Sequence, residues 1–99
     1  MTTKTIRVVA RLTARPDRVD ETLEALTALI APTRAEDGCI LYELSHNNDD
    51  PTDFTFVEEW TTDAALDAHL ESDHIRKLQS QADDLLSAPP DVRRYTLVA

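Results

Sequence analysis

The sequence predicts a one-domain α+β fold with the element order βαββαβ. Three observations lead there. Apolar residues alternate with period two in four separate stretches, two intervening regions repeat at helical spacing, and 99 residues supply one hydrophobic core but not two.

The first strand alternates Ile6, Val8, Ala10 and Leu12 with Arg7, Val9, Arg11 and Thr13. Pro16 and Asp17 then open a helix, with Asp17 as the expected cap and Asp20 and Glu21 at the positive end of the dipole. Val19, Leu23, Leu26 and Ile30 draw its apolar stripe; Pro32 should kink or stop it, and Gly38 suits an exit at positive φ. Period two returns in the second strand, with Ile40, Tyr42, Leu44 and His46 on one face and Cys39, Leu41, Glu43 and Ser45 on the other. The turn-forming run Asn47 to Pro51 leads into a third strand, where Phe54, Phe56, Glu58 and Trp60 oppose Thr55, Val57 and Glu59. The two form an antiparallel hairpin.

The second helical region reads as two pieces. Thr62 caps a short helix carrying Leu66, His69 and Leu70, and Ser72 or Asp73 caps a second with Ile75, Leu78, Ala82 and Leu85 at helical spacing. Ser87-Ala88-Pro89-Pro90 breaks it, and Val92 to Val98 form the last strand. This is the split βαβ, ferredoxin-like pattern. It implies a four-stranded antiparallel sheet in the order 4-1-3-2, in which right-handed crossovers are expected to set strands one and three parallel. With helices on one face, the other carries Val9, Leu41, Val57, Tyr95 and Leu97, too apolar a surface to leave wet. A second copy of the sheet is the economical cover.

Charge and composition remove several classes of function. Nineteen acidic against ten basic residues give a net charge of −9, with no basic surface for nucleic acid or anionic membrane. Gly38 is the only glycine, which excludes a Gly-rich phosphate loop. Cys39 is the only cysteine, so neither an intramolecular disulfide nor a cysteine metal site is possible. No signal-like apolar segment lies within Met1 to Arg11, and a cytoplasmic setting is expected.

Glu58 is the anomaly of the third strand, because a carboxylate among aromatic groups must either protonate or find a partner. His69 and His74 are the expected partners, and a carboxylate beside an imidazole in a dry pocket can take up a proton. The pocket is expected to be lined by Tyr42, Phe56, His74, Leu78 and Val8, walled by Trp60. No metal site is expected, since His69 and His74 are five residues apart and would diverge on a continuous helix; a break near Ser72 would change that.

The combination Gly38-Cys39, Tyr42, Phe54-x-Phe56-x-Glu58-x-Trp60, Ala65-Leu66-x-x-His69-Leu70 and Ser72-x-His74 resembles the antibiotic biosynthesis monooxygenase domain family. The resemblance implies a homodimeric α/β barrel with one pocket per subunit. For many members it also implies oxidation of quinols or polycyclic phenols by O2 without metal, flavin or other cofactor. Glu58, Trp60 and His69 match family positions, with Trp60 as pocket wall and the other two handling protons. The haem-degrading branch of the family has Asn on the first strand where this chain has Ala10. Two other readings stay open on this scaffold: an isomerase of small polyhydroxy-ketones and a non-catalytic dimeric ligand-binding module.

Overall fold

Two crossovers and one hairpin order the chain into a sheet with helices on one side. The computed structural model describes residues 4–99; Met1 to Thr3, the start of the N-terminal stretch read above, lie outside them. The elements are β1 (Ile6–Thr13), α1 (Val19–Thr27), α2 (Ile30–Arg34), β2 (Cys39–His46), β3 (Asp53–Trp60), α3 (Asp63–Leu70), α4 (Asp73–Leu85) and β4 (Asp91–Tyr95). The sheet order is β2-β3-β1-β4, the expected 4-1-3-2 read from the other edge.

Strands one and three are antiparallel, not parallel, with Val8 opposite Glu58 and Ala10 opposite Phe56. The crossover through α1 and α2 makes β1 and β2 parallel, with one strand position between them. The hairpin then lays β3 between them, antiparallel to both.

The first helix also departs from the sequence reading. Asp17 does not cap it; the N-cap is Arg18, with no side-chain capping bond. The buried face is Thr22, Leu26, Leu29 and Thr33, whereas Leu23 is 39% exposed. Thr22 can lie inside because its hydroxyl donates to the Arg18 carbonyl at 2.7 Å, so its burial leaves no donor unmet. Pro32 sits in the first turn of α2, where a missing N–H costs nothing, and the chain breaks into two helices just before it.

Gly38 behaves as expected, at φ 85°. A Cβ there would come within 2.6 Å of Ala65 Cβ and 2.7 Å of Thr61 Oγ1, so glycine is required by both conformation and space. The chain passes from this turn into a β-bulge. Cys39 pairs with Trp60 and Leu41 with Glu59, leaving Ile40 as the extra residue, half exposed. The bulge reverses the alternation, so Ile40 does not share Tyr42's buried environment and Cys39 packs against the core instead.

One core lies between sheet and helices. Val8, Ala10, Leu12, Tyr42, Phe54, Phe56 and Trp60 meet Leu26, Leu29, Leu66, Ile75, Leu78 and Leu85. The final strand ends at Tyr95, short of the expected Val98, and pairs only with β1. On the uncovered face Val57 and Tyr95 are 39% and 47% exposed, and Leu97, beyond the end of β4, is 54% exposed. No helix among the described residues is long and apolar enough to cross a membrane.

Candidate active site

An apolar cavity of about 210 Å³ opens between the sheet and the helices. Its floor is Ala10, Tyr42 and Phe56; Leu66, Leu70, Ile75 and Leu78 close it from α3 and α4. Two groups in the lining are a carboxyl and an imidazole, Glu58 and His69. Each reaches the cavity for a legible local reason. Strand alternation turns Glu58 inward with Phe56 and Trp60. His69 follows Leu66 by three on α3, so the burial of Leu66 carries it inward.

Glu58 does not pair with an imidazole as expected. Its Oε1 accepts a bond from Trp60 Nε1 at 2.9 Å. Burial pushes its carboxyl above the usual range; the indole N–H opposes this, and the negative charge of Glu36 adds to it. The partner of both imidazoles is Glu36, a residue that the sequence reading passed over. His69 Nδ1 lies 2.6 Å and His74 Nε2 2.9 Å from the same oxygen, Glu36 Oε2. Burial holds His69 below its ordinary value, against the bond and charge of Glu36. Its ring lies 4.7 Å from Trp60 and 5.5 Å from Tyr42, centroid to centroid. Tyr42 stacks on Phe56 at 4.7 Å, and burial raises its phenol.

The break between α3 and α4 builds this cluster. Ser72 caps α4 by accepting from the Ile75 amide and donates to the His69 carbonyl at 2.7 Å. The turn swings His74 back toward His69, bringing the rings to 5.9 Å. The divergence expected of a five-residue spacing therefore does not occur. Glu36, His69 and His74 have donor atoms within 4.8 Å of one another, a set that a divalent metal such as zinc takes. Here both nitrogens lie at hydrogen-bond distance from Glu36 Oε2.

Of the residues singled out from sequence, Glu58, His69, Tyr42, Phe56 and Leu78 meet around the cavity. Trp60, Val8 and His74 do not line it. Trp60 is fully buried behind Glu58 and His69, bracing both rather than walling the space. Val8 is sealed in the sheet beside Glu58, and His74 lies on the far side of His69, against Glu36. Glu36 had no distinctive signal of its own, being one of nineteen acids; only the adjacent Gly38 marks the turn that presents it.

Fold and cavity define a class: small ferredoxin-like α+β domains with an apolar pocket carrying acid–base groups between sheet and helices. Within that class, the chain belongs to the antibiotic biosynthesis monooxygenase family, whose model matches residues 5–81. It is 37% identical over 87 residues to the Mycobacterium tuberculosis protein named "Putative monooxygenase Rv0793", covering 88% of this chain and 85% of the relative. The solved structure of Rv0793 superposes with a TM-score of 0.89 at 34% identity, covering 96% of each chain. That of PA3566 from Pseudomonas aeruginosa gives 0.93 at 29% identity, covering 100% of this chain and 99% of the other. With sll1783 of Synechocystis the identity is 29% over 92 residues; they make up 93% of this chain but only 63% of that longer protein.

Proposed function

We propose that this chain is a cytoplasmic, homodimeric monooxygenase that oxidises a small quinol or phenol with O2, the substrate itself supplying the electrons. The observation that carries this reading is that His69 and Glu58 both stand in the wall of one apolar cavity. A phenolic O–H placed against His69 gives up its proton to the imidazole, and the resulting electron-rich anion reduces dioxygen. For a simple hydroquinone the balance is closed: one oxygen atom enters the ring, the other leaves as water, and the product is a hydroxyquinone. Glu58, whose carboxyl is raised by burial, is the group placed to give a proton to the developing peroxide oxygen. Water is kept out by the leucine and isoleucine side chains of α3 and α4, which protects the anion from reprotonation.

Size sharpens the substrate class. A dry cavity of about 150 Å³ takes benzene, so about 210 Å³ suits one substituted ring or a compact bicycle better than a large polycycle. A second copy covering Val57, Tyr95 and Leu97 completes the proposed dimer. The lone free Cys39 fits a reducing compartment.

The test is oxygen uptake by purified protein with a panel of hydroquinones, naphthoquinols and hydroxyanthrones. Wild-type protein should accelerate uptake with the smaller members, and His69→Ala should lower kcat by about 10²-fold or more. Uptake at the buffer rate with every compound would overturn the reading, as would His69→Ala retaining wild-type turnover.

A further inference from the structure

The proton acceptor proposed above needs a fixed tautomer, because only a ring nitrogen without hydrogen can receive a proton from a bound phenol. His69 is neutral in its buried setting and has two nitrogens to choose between. One of them, Nδ1, lies 2.6 Å from Glu36 Oε2. Glu36 does not line the cavity while His69 does, so the bonded edge of the ring points away from the substrate space.

We infer that Glu36 is the positioning residue of the active site, one that nothing in the family match assigns. It accepts the Nδ1 proton of His69, turns the Nε2 lone pair toward the cavity, and stabilises the imidazolium formed when that lone pair takes the substrate proton. This rests on the reading of His69 as the base.

The surroundings fit the role. Glu36 Oε2 also accepts from His74 Nε2 at 2.9 Å, and Ser72 Oγ lies 3.2 Å from the same nitrogen. The carboxylate is thus held by a second donor on α4 and does not depend on His69 for its rotamer. Its backbone is set by the Gly38 turn, where the Cys39 amide donates to the Glu36 carbonyl at 3.3 Å and the Thr61 amide to the Gly38 carbonyl at 2.8 Å. Carboxylate, turn and both imidazoles therefore belong to one packed unit. A carboxylate that orients a histidine and compensates its developing charge contributes several powers of ten where it has been removed from comparable dyads.

The charged and titratable groups facing His69 are Glu36 from the turn before β2, His74 from α4, Tyr42 from β2 and Glu58 from β3. Among them only Glu36 bonds to the ring. Removing its charge should therefore lower the basicity of His69 and move the acid limb of the kcat/KM profile to lower pH. A variant that merely loosened the fold would reduce the rate and leave that limb in place.

The experiment uses full-length protein with 15N-labelled histidine. In the wild type, the imidazole 15N shifts of His69 should report hydrogen on Nδ1 and none on Nε2 at neutral pH. Glu36→Ala should give a mixture of tautomers and lower kcat by about 10²-fold or more, with KM changed far less. Glu36→Gln removes the charge and adds an N–H donor that can hold the opposite tautomer, so hydrogen should no longer be fixed on Nδ1 and the acid limb should shift; Glu36→Asp should restore the Nδ1 tautomer and part of that shift. Circular dichroism checks that each variant is folded. Hydrogen on Nε2 in the wild type, or an unchanged tautomer in a folded Glu36→Ala, overturns the inference. The NMR readout needs no turnover, so a protein that oxidises nothing but shows the fixed tautomer would sink the proposed reaction and leave the role of Glu36 intact.

Discussion

Glu58 and Glu59 are neighbours on β3 and live in different worlds. On the helix-covered face Glu58 is sealed beside Trp60, with an indole N–H at 2.9 Å and an apolar cavity in front of it. On the uncovered face Glu59 accepts a bond from Thr5 at 2.6 Å and lies 3.6 Å from Arg7, within reach of water. Strand alternation alone separates them. On the covered face burial raises the Glu58 carboxyl above its usual range, which suits proton chemistry. The uncovered face mixes Arg7, Arg11, Glu59 and Arg93 with Val9, Leu41, Val57 and Tyr95, which suits a partner surface.

Substitutions across the sheet sharpen that contrast, and the largest effect belongs to Trp60. It is fully buried, braces His69 and, among the described residues, supplies the only side-chain bond to Glu58. Trp60→Ala should destabilise the protein by about 3–5 kcal/mol, read from urea unfolding followed by circular dichroism. A loss below about 1 kcal/mol would mean that the covered face is not packed as described.

Next comes Glu58→Gln. Burial raises the Glu58 carboxyl in the folded state. Its contribution to stability is therefore greatest at low pH and is lost as pH rises from the ordinary carboxylate range through the folded value. Gln keeps an acceptor for the indole and does not titrate. The variant should melt higher than wild type at pH 7, and the gap should close toward pH 4. His69 has the opposite sign, since burial lowers it and folded protein loses stability as pH falls; it titrates in both proteins and cancels in the comparison. A gap independent of pH would contradict a Glu58 carboxyl raised by burial.

The smallest effect is expected one residue later. Glu59→Gln alters a partly exposed ion pair and should change stability by less than about 1 kcal/mol, without the pH dependence of its neighbour. Equal behaviour of the two glutamine variants in a melting series would erase the distinction between the faces.

Much of the architecture was legible because it depends on short-range pattern. Period-two runs around Val8, Tyr42 and Phe56 located the strands, and Ser72 and Thr62 marked their helix starts as caps. Legibility failed where a single residue changes phase. The bulge at Ile40 is invisible in a run that alternates cleanly, and Thr22 enters the core in place of Leu23 because its hydroxyl bonds to its own helix. Half of the candidate site could be read in the same way. Glu58 stood out as a charge on an apolar face and His69 as a polar residue between two leucines. Glu36 stood out in nothing.

What the sequence determined by itself was therefore the list of elements, their order, and which face of β3 carries Glu58 and Trp60, since these follow from spacing along the chain. What only tertiary structure decided was partnership. The carboxylate bonded to His69 comes from 33 residues away, and the histidine five positions on reaches the same oxygen only because the helix breaks at Ser72. Contacts of that kind are set by how β2, α3 and α4 converge, a geometry that local periodicity does not encode.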